Sequence, residues 1–444
     1  MSGLYKVPSG GGTLESVAGG RAAGFPDVLP GGKAVLVNVA PLITPGSLEE
    51  LDIQVYVVAT GESKPLGLVG YAPRYLPTAE RSGHLVYINK GTLYGVAFDA
   101  ERLALLGKPV RLLDNIGDPD LSQGGGEFAA SATGTFAYLT GRLETPRRPM
   151  LWMDQTGQTT PLMPQEESYV APRLSPDSRL LAYTMQGPKG ADVWVRDLQA
   201  GQSRQLTFTG PGVREVAWAP DGKHLVFGDG TSLWWIKADG SGRPLRILEK
   251  TINPRPFSFT QDGRLVYSFI GTASRPDIAT LQLDLTDPER PKAGSPEPFL
   301  TDEYAEVDPA FSPDGRFLAY ASSEENVNDV YVTSFPGRVK RKISTAGGKF
   351  PVWTARELFI LGGDDRIMVA RYAIQGESFT WDDPRPWSLT PILRDAVRQN
   401  FDMTADGRRA VIFPRPAAVQ QTENLHAMFV MNFFDEVRRR IPIP

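Results

Sequence analysis

A single motif, repeated along the chain, constrains the fold more than any other feature. Phe311-Ser312-Pro313-Asp314-Gly315-Arg316-Phe317-Leu318-Ala319-Tyr320 is matched by Leu174-Ser175-Pro176-Asp177-Ser178-Arg179-Leu180-Leu181-Ala182-Tyr183. Trp218-Ala219-Pro220-Asp221-Gly222-Lys223-His224-Leu225-Val226-Phe227 and Phe259-Thr260-Gln261-Asp262-Gly263-Arg264-Leu265-Val266-Tyr267 repeat it again. The copies recur roughly every 40 to 50 residues, the period of a four-stranded propeller blade.

The physics of the unit is that of a hairpin. Proline presets one turn dihedral, aspartate bonds back to the turn, and glycine accepts a positive φ. A third strand with alternating polar and apolar residues follows, as in Asp192–Leu198 or Asp329–Thr333. Ser203–Thr207 then reads as a fourth strand. Weaker copies lie at 25–38, 74–89, 127–140, 349–361 and 400–414, so nine first-and-second-strand pairs are detected. Gly3–Pro8 and Thr13–Val17 read as third and fourth strands lacking their beginning, and are expected to pair with the last unit, whose third strand is Leu425–Met431. Stacked sheets bury both faces only if the array wraps around an axis. The expected fold is an all-β propeller of four-stranded antiparallel blades, with eight or nine units. As a domain layout this is one array over 1–444. The alternative is a partial ring over 1–165 followed by a six-bladed ring over 166–444.

The 45 glycines and 38 prolines suit many turns between short strands. A net charge of −4 argues against a general nucleic-acid or anionic-membrane binder. The basic runs Arg338–Lys342 and Arg438–Arg440 read as a solvated strand face and an amphipathic tail. With no cysteine, disulfides and thiol chemistry are excluded. No apolar run approaches the ~20 residues of a membrane span, and the N-terminus has no signal-peptide apolar core.

The Ser-Pro-Asp-Gly-Arg-x-Leu-Ala-Tyr pattern resembles the TolB-like, WD40-like propeller repeats of bacteria. The order of elements is more specific. Gly3-Leu4-Tyr5-Lys6-Val7-Pro8 precedes Leu29-Pro30-Gly31-Gly32-Lys33, then Gly83-His84-Leu85-Val86-Tyr87 and Met150-Leu151-Trp152-Met153-Asp154, and the chain closes on Asn432–Arg439. This order is similar to the C-terminal propeller region attached to many bacterial eukaryotic-like serine/threonine kinases. The resemblance implies a sensing or interaction role in an extracytoplasmic setting. It does not imply kinase activity, because the Gly-rich phosphate loop, the His-Arg-Asp loop and Asp-Phe-Gly are all missing from the sequence.

Candidate site residues follow from the wrap. The slot three residues before the aromatic or aliphatic residue that opens each motif holds Pro26, Ala72, Glu127, Ala171, Glu215, Pro256, Asp308, Phe350 and Asn400. Neighbouring positions add Asp27, Arg74, Arg173, Arg214, Arg255, Glu306, Lys349 and Asp402. Glu127, Glu215, Asp308 and Asn400 form a candidate oxygen cage for calcium. Arg74, Arg173 and Asp402 complete a candidate ligand-binding set with them. Asp118, Asp120 and Ser122–Gly126 form a candidate loop over the mouth. The histidines 84, 224 and 426 fall in different units and make no transition-metal set. Trp194, Trp234, Trp235, Tyr331 and Trp353 read as packing between blades.

Two functions are in view. One is a non-catalytic module binding a protein or small molecule at the channel mouth. The other is a calcium-assisted hydrolase of esters, lactones or phosphoesters, in which Asp402 or Glu306 takes the proton. No Gly-x-Ser-x-Gly or His-Glu-x-x-His motif occurs. A homodimer that completes its own ring is a further expectation.

Overall fold

The computed structural model describes residues 4–443 apart from 8–9, 11, 14, 19–22, 40–50, 80–81, 117–126, 132, 141–146, 188–189, 209–212, 214, 272–274, 326, 338, 377, 396 and 416–425. The protein is an all-β propeller of mostly four-stranded antiparallel sheets. The chain divides into two compact units. One comprises residues 1–144 and 420–444, the other 145–419.

Each sheet grows from its repeat as the residue types dictate. In the turn Ser312–Gly315, the Gly315 N–H donates to Ser312 O (2.9 Å) and the Ser312 hydroxyl donates to Asp314 Oδ1 (2.7 Å). The Phe317 N–H then donates to Ser312 Oγ (3.0 Å), fixing where the second strand starts. Gly315 sits at φ 71, a conformation that penalises a Cβ. Ser175/Asp177 and Thr404/Asp406 repeat the hydroxyl–carboxylate contact at 2.6 Å each.

Unit 145–419 holds six sheets among the described residues. Sheet A joins Phe401–Met403, Arg409–Ile412, Leu151–Asp154 and Thr159–Pro161. Sheets B to E begin with Tyr169–Leu174, Val216–Trp218, Arg255–Phe259 and Glu306–Phe311, and sheet F with Gly348–Trp353. Because sheet A takes strands from both ends of the unit, it forms the seam (Leu151↔Ile412 to Asp154↔Arg409).

Six apolar cores fill the spaces between these sheets. Met150, Tyr183 and Phe413 join A to B, and Val195, Trp218 and Ile236 join B to C. Trp235 with Tyr267 joins C to D, and Phe311 with Val266 joins D to E. Phe317 with Phe379 joins E to F, and Phe350 with Phe401 returns F to A. The tryptophans predicted to pack between blades do so, and burial of such side chains is the main cohesive term.

Unit 1–144 with 420–444 contains a two-stranded sheet (Leu4–Lys6, Glu15–Ala18), a four-stranded sheet over 23–69 and a five-stranded sheet over 71–113. A three-stranded sheet joins Phe128–Ala130, Phe136–Thr140 and His426–Val430. The tail then forms the helix Phe433–Arg440, whose Phe433, Phe434 and Val437 are buried against Leu93, Ala97 and Phe136.

One expected pairing is corrected here. Leu4–Lys6 pairs with Glu15–Ala18 and, among the described residues, not with the last repeat. The last repeat takes Leu151–Asp154 as its third strand, so His426–Val430 is released to join Phe136–Thr140. Seam closure inside the second unit leaves the terminal strands no role in it.

Candidate functional site

In three sheets of the second unit the slot residue lies where the first strand breaks its ladder. Pairing shifts register between Val170 and Arg173, between Val307 and Ala310, and between Lys349 and Val352. Within each gap lies an X-Pro pair, Ala171-Pro172, Asp308-Pro309 or Phe350-Pro351, with X at φ 51, 57 and 56. A bulge tolerates proline because its missing N–H is not called on by the ladder. Ala72-Pro73 repeats this in the first unit, as does Phe25-Pro26. The sequence alignment assigned Pro26 to the slot. The structure places Phe25 there (φ 52), one residue earlier, because proline cannot take the positive φ.

At or beside the slots, the second unit carries an alternating set of charges, one from each sheet. In ring order these are Asp402 (A), Arg173 (B), Glu215 (C), Arg255 (D), Asp308 (E) and Lys349 (F). Four of these six are closely engaged. Glu215, 1% exposed, receives Arg173 Nη2 on Oε2 (3.1 Å) and Arg255 Nη2 on Oε1 (2.6 Å). Arg255 Nη2 also donates to Val397 O (2.6 Å). Asp402 accepts the N–H groups of Leu174 (2.7 Å) and Met403 (2.9 Å) and feels the Arg173 charge.

Asp308 and Lys349 are less closely joined. Lys349 Nζ stands 3.9 Å from Asp308 Oδ2, beyond hydrogen-bond reach. Among the described residues neither carboxylate oxygen of Asp308 has a hydrogen-bond partner, nor does Asn400 Oδ1, and both residues are only 2% exposed. The Asn400 amide itself donates to Leu393 O. Burial pushes the Asp308 carboxyl up to about 6 against the pull of Lys349, Arg255 and Arg173. Asp402 rises to about 6 for the same reason. Beside the ring, Glu306 is driven to about 7 by burial and then by the like charges of Asp302 and Asp277.

A second device, not anticipated from sequence, ties neighbouring sheets together. The residue two places after the bulge accepts the N–H of the residue three places after the next bulge. Asp402 takes Leu174 N, Ser258 Oγ takes Phe311 N (2.9 Å) and Asp27 Oδ2 takes Tyr75 N (2.7 Å). Trp218 and Trp353 reinforce it, each indole donating to a carbonyl of the preceding sheet, Arg173 O and Ala310 O (2.9 Å each). The sequence signal was a small acceptor at this one register.

Glu215, Asp308, Asn400, Asp402 and Arg173 thus share one unit and one set of first strands. Glu127 and Arg74 belong to the other unit, where Arg74 bonds Pro26 O (3.1 Å) and lies 3.6 Å from Asp27. Among the described residues no group of three or more His, Asp or Glu side chains is arranged to ligate a metal. Arg214, Asp118, Asp120 and 122–126 lie outside the described residues. A cavity of about 250 Å³ in the second unit is lined by turn residues and by second, third and fourth strands, including Arg204, Lys223 and His224, and by no member of the ring. No helix among the described residues is long and apolar enough to cross a membrane.

Residues 155–357 match the family described as PD40, TolB beta propeller domain. A curated relative, "Uncharacterized peptidase YuxL" of Bacillus subtilis, is 25% identical over 184 residues, 40% of this chain. This chain spans only 25% of that relative's length. Among solved structures, a putative TolB from Agrobacterium tumefaciens is 16% identical with a TM-score of 0.46, covering 61% of this chain and 99% of that one. TolB from Acinetobacter baumannii is 14% identical with a TM-score of 0.38, covering 80% and 81%.

Proposed function

We propose, from the TolB-like propeller that the repeat region forms, that this protein is a non-catalytic binding module whose second unit takes a ligand or protein segment beside Asp308 and Asn400. The observation that carries this reading is the set of buried acceptors Asp308 Oδ1, Asp308 Oδ2 and Asn400 Oδ1, which have no hydrogen-bond partner among the described residues. Leaving such groups unsatisfied costs about 1–3 kcal/mol each, more when charged. Native structures keep few of them, so each calls for a partner, which a bound ligand or an ordered water supplies. The complementary ligand presents N–H donors, an ammonium or an amide, to Asp308 and Asn400. A sensing role in a kinase-attached region is what the sequence resemblance adds to this.

The hydrolase reading has less support. Its strongest sequence-derived metal ligand, Glu215, spends both oxygens on arginines. The peptidase name belongs to a protein of which this chain spans a quarter. Thermal-shift measurements separate the two readings. With a panel of short peptides and amines, a stabilising compound is expected whose effect disappears in Asp308→Asn. If instead calcium alone stabilises, chelator reverses it, and both Glu215→Gln and Asp308→Asn abolish it, the metal-assisted reading replaces ours.

A further inference from the structure

Among the described residues, the three-stranded sheet of the first unit ends on an edge strand with nothing paired to its outer side. Among the described residues His426–Val430 pairs only with Phe136–Thr140, so its outer row of N–H and C=O groups has no strand beside it. Natural edge strands are guarded by charge, proline or a bulge. This one has none of these over His426-Ala427-Met428-Phe429-Val430-Met431. Its pairing runs in unbroken register from Phe136↔Val430 to Thr140↔His426. Met428 is 43% exposed, and Phe429 and Met431 are each 67% exposed. Alternate side chains point to opposite faces of a sheet, so apolar surface is shown on both.

We propose that this edge pairs with the same edge of a second copy, antiparallel about a two-fold axis, giving a continuous six-stranded sheet across a homodimer. Charge favours this occupant. When an antiparallel strand meets itself about the Met428–Phe429 midpoint, His426 faces Met431, Ala427 faces Val430 and Met428 faces Phe429. No like charges meet, and a charged partner strand would find nothing to pair with. Self-pairing also satisfies the isologous geometry of a two-fold dimer and supplies main-chain hydrogen bonds of strand addition. The exposed side chains offer less than the ~800 Å² per partner of a standard interface, so the dimer is weak and concentration-dependent. This inference is independent of the binding site proposed above, which lies in the other unit.

The chain lacks cysteine, so one introduced thiol reports only contacts between copies. Single cysteines at Ala427, Met428, Phe429 and Val430, mildly oxidised, are expected to give a covalent dimer at the position nearest the axis. An exposed control far from the strand, Ser241→Cys, is expected to give none. Light scattering is expected to show the mass of the 48.6 kDa chain rising toward twice that value with concentration, and Phe429→Lys is expected to hold it at monomer. Phe429 is exposed, so that variant keeps its fold and its circular dichroism. A chain that stays monomeric at high concentration, or a dimer that Phe429→Lys leaves intact, overturns the proposal. So does cross-linking as fast at Ser241→Cys as at the strand.

Discussion

His84 Nε2 donates to the main-chain oxygen of Ile441 at 2.7 Å, binding the start of a second strand to the end of the terminal helix across 357 residues of sequence. Its Nδ1 accepts from the Thr78 hydroxyl at 2.6 Å, which sets the tautomer. Burial, and secondarily the Arg438 charge, hold the imidazole below its ordinary range, while the Ile441 bond pulls the other way. The folded state therefore binds fewer protons than the unfolded one as pH falls through about 6.5, and stability falls with it. Hydrogen exchange over Phe433–Ile441, corrected for intrinsic rates, should be faster at pH 5 than at pH 7.5. Equal protection at both values would remove His84 as the latch.

Asp308 carries the opposite dependence. Its carboxyl is raised to about 6, so the ionised form is the costly one, and the cost is present above that pH and fades as pH falls toward the unfolded value. Two pKa units correspond to about 3 kcal/mol. Asp308→Asn mimics the neutral acid and should raise the melting temperature at pH 7, with the advantage shrinking at pH 5. A lower melting temperature at pH 7 would show that Asp308 supports the ring rather than serving a ligand.

Glu215 belongs to the closely engaged part of the ring. Glu215→Ala leaves Arg173 and Arg255 facing each other without their shared anion, and removal of one member of a buried ion set costs about 3–5 kcal/mol. Urea unfolding should show that loss. Arg111→Ala, which breaks an exposed pair with Asp114, should leave the midpoint unchanged.

The ties between sheets give a graded series. Ser258→Ala removes one neutral acceptor from Phe311 N and should cost about 1 kcal/mol. Asp402→Ala strips Leu174 N of its acceptor and Arg173 of a counter-charge, and should cost about 2–3 kcal/mol. Equal midpoints for the two variants would show that the carboxylate adds nothing beyond its hydrogen bond.

The repeat motif made the fold legible because turn chemistry is local: Ser312, Asp314 and Gly315 fold their hairpin with contacts inside six residues. The ring charges were legible in part. Alignment on the turns selected Glu215, Asp308, Asn400, Asp402 and Arg173, and these five meet in one unit. It also placed Glu127 and Arg74 beside them, since a repeat records its register but not which axis its blade surrounds. The pairing of Glu215 with two arginines depends on side chains from three sheets, which no single repeat encodes. Pro26 was misplaced by one residue because the repeat at 25–38 lacks the serine that aligns the others. The strand at 426–430 was legible but its partner was not, because the seam choice of Leu151–Asp154 is a competition between distant segments.

The division of the chain has a consequence for biosynthesis. Residues 145–419 interrupt a unit whose final strand and helix come from 420–444. On the ribosome, the interrupted unit waits unfinished, with Phe136 lacking its partner Val430, until the intervening unit has emerged. The strand Phe136–Thr140 is therefore made long before the strand it pairs with, and it stays an open edge while the intervening unit is synthesised.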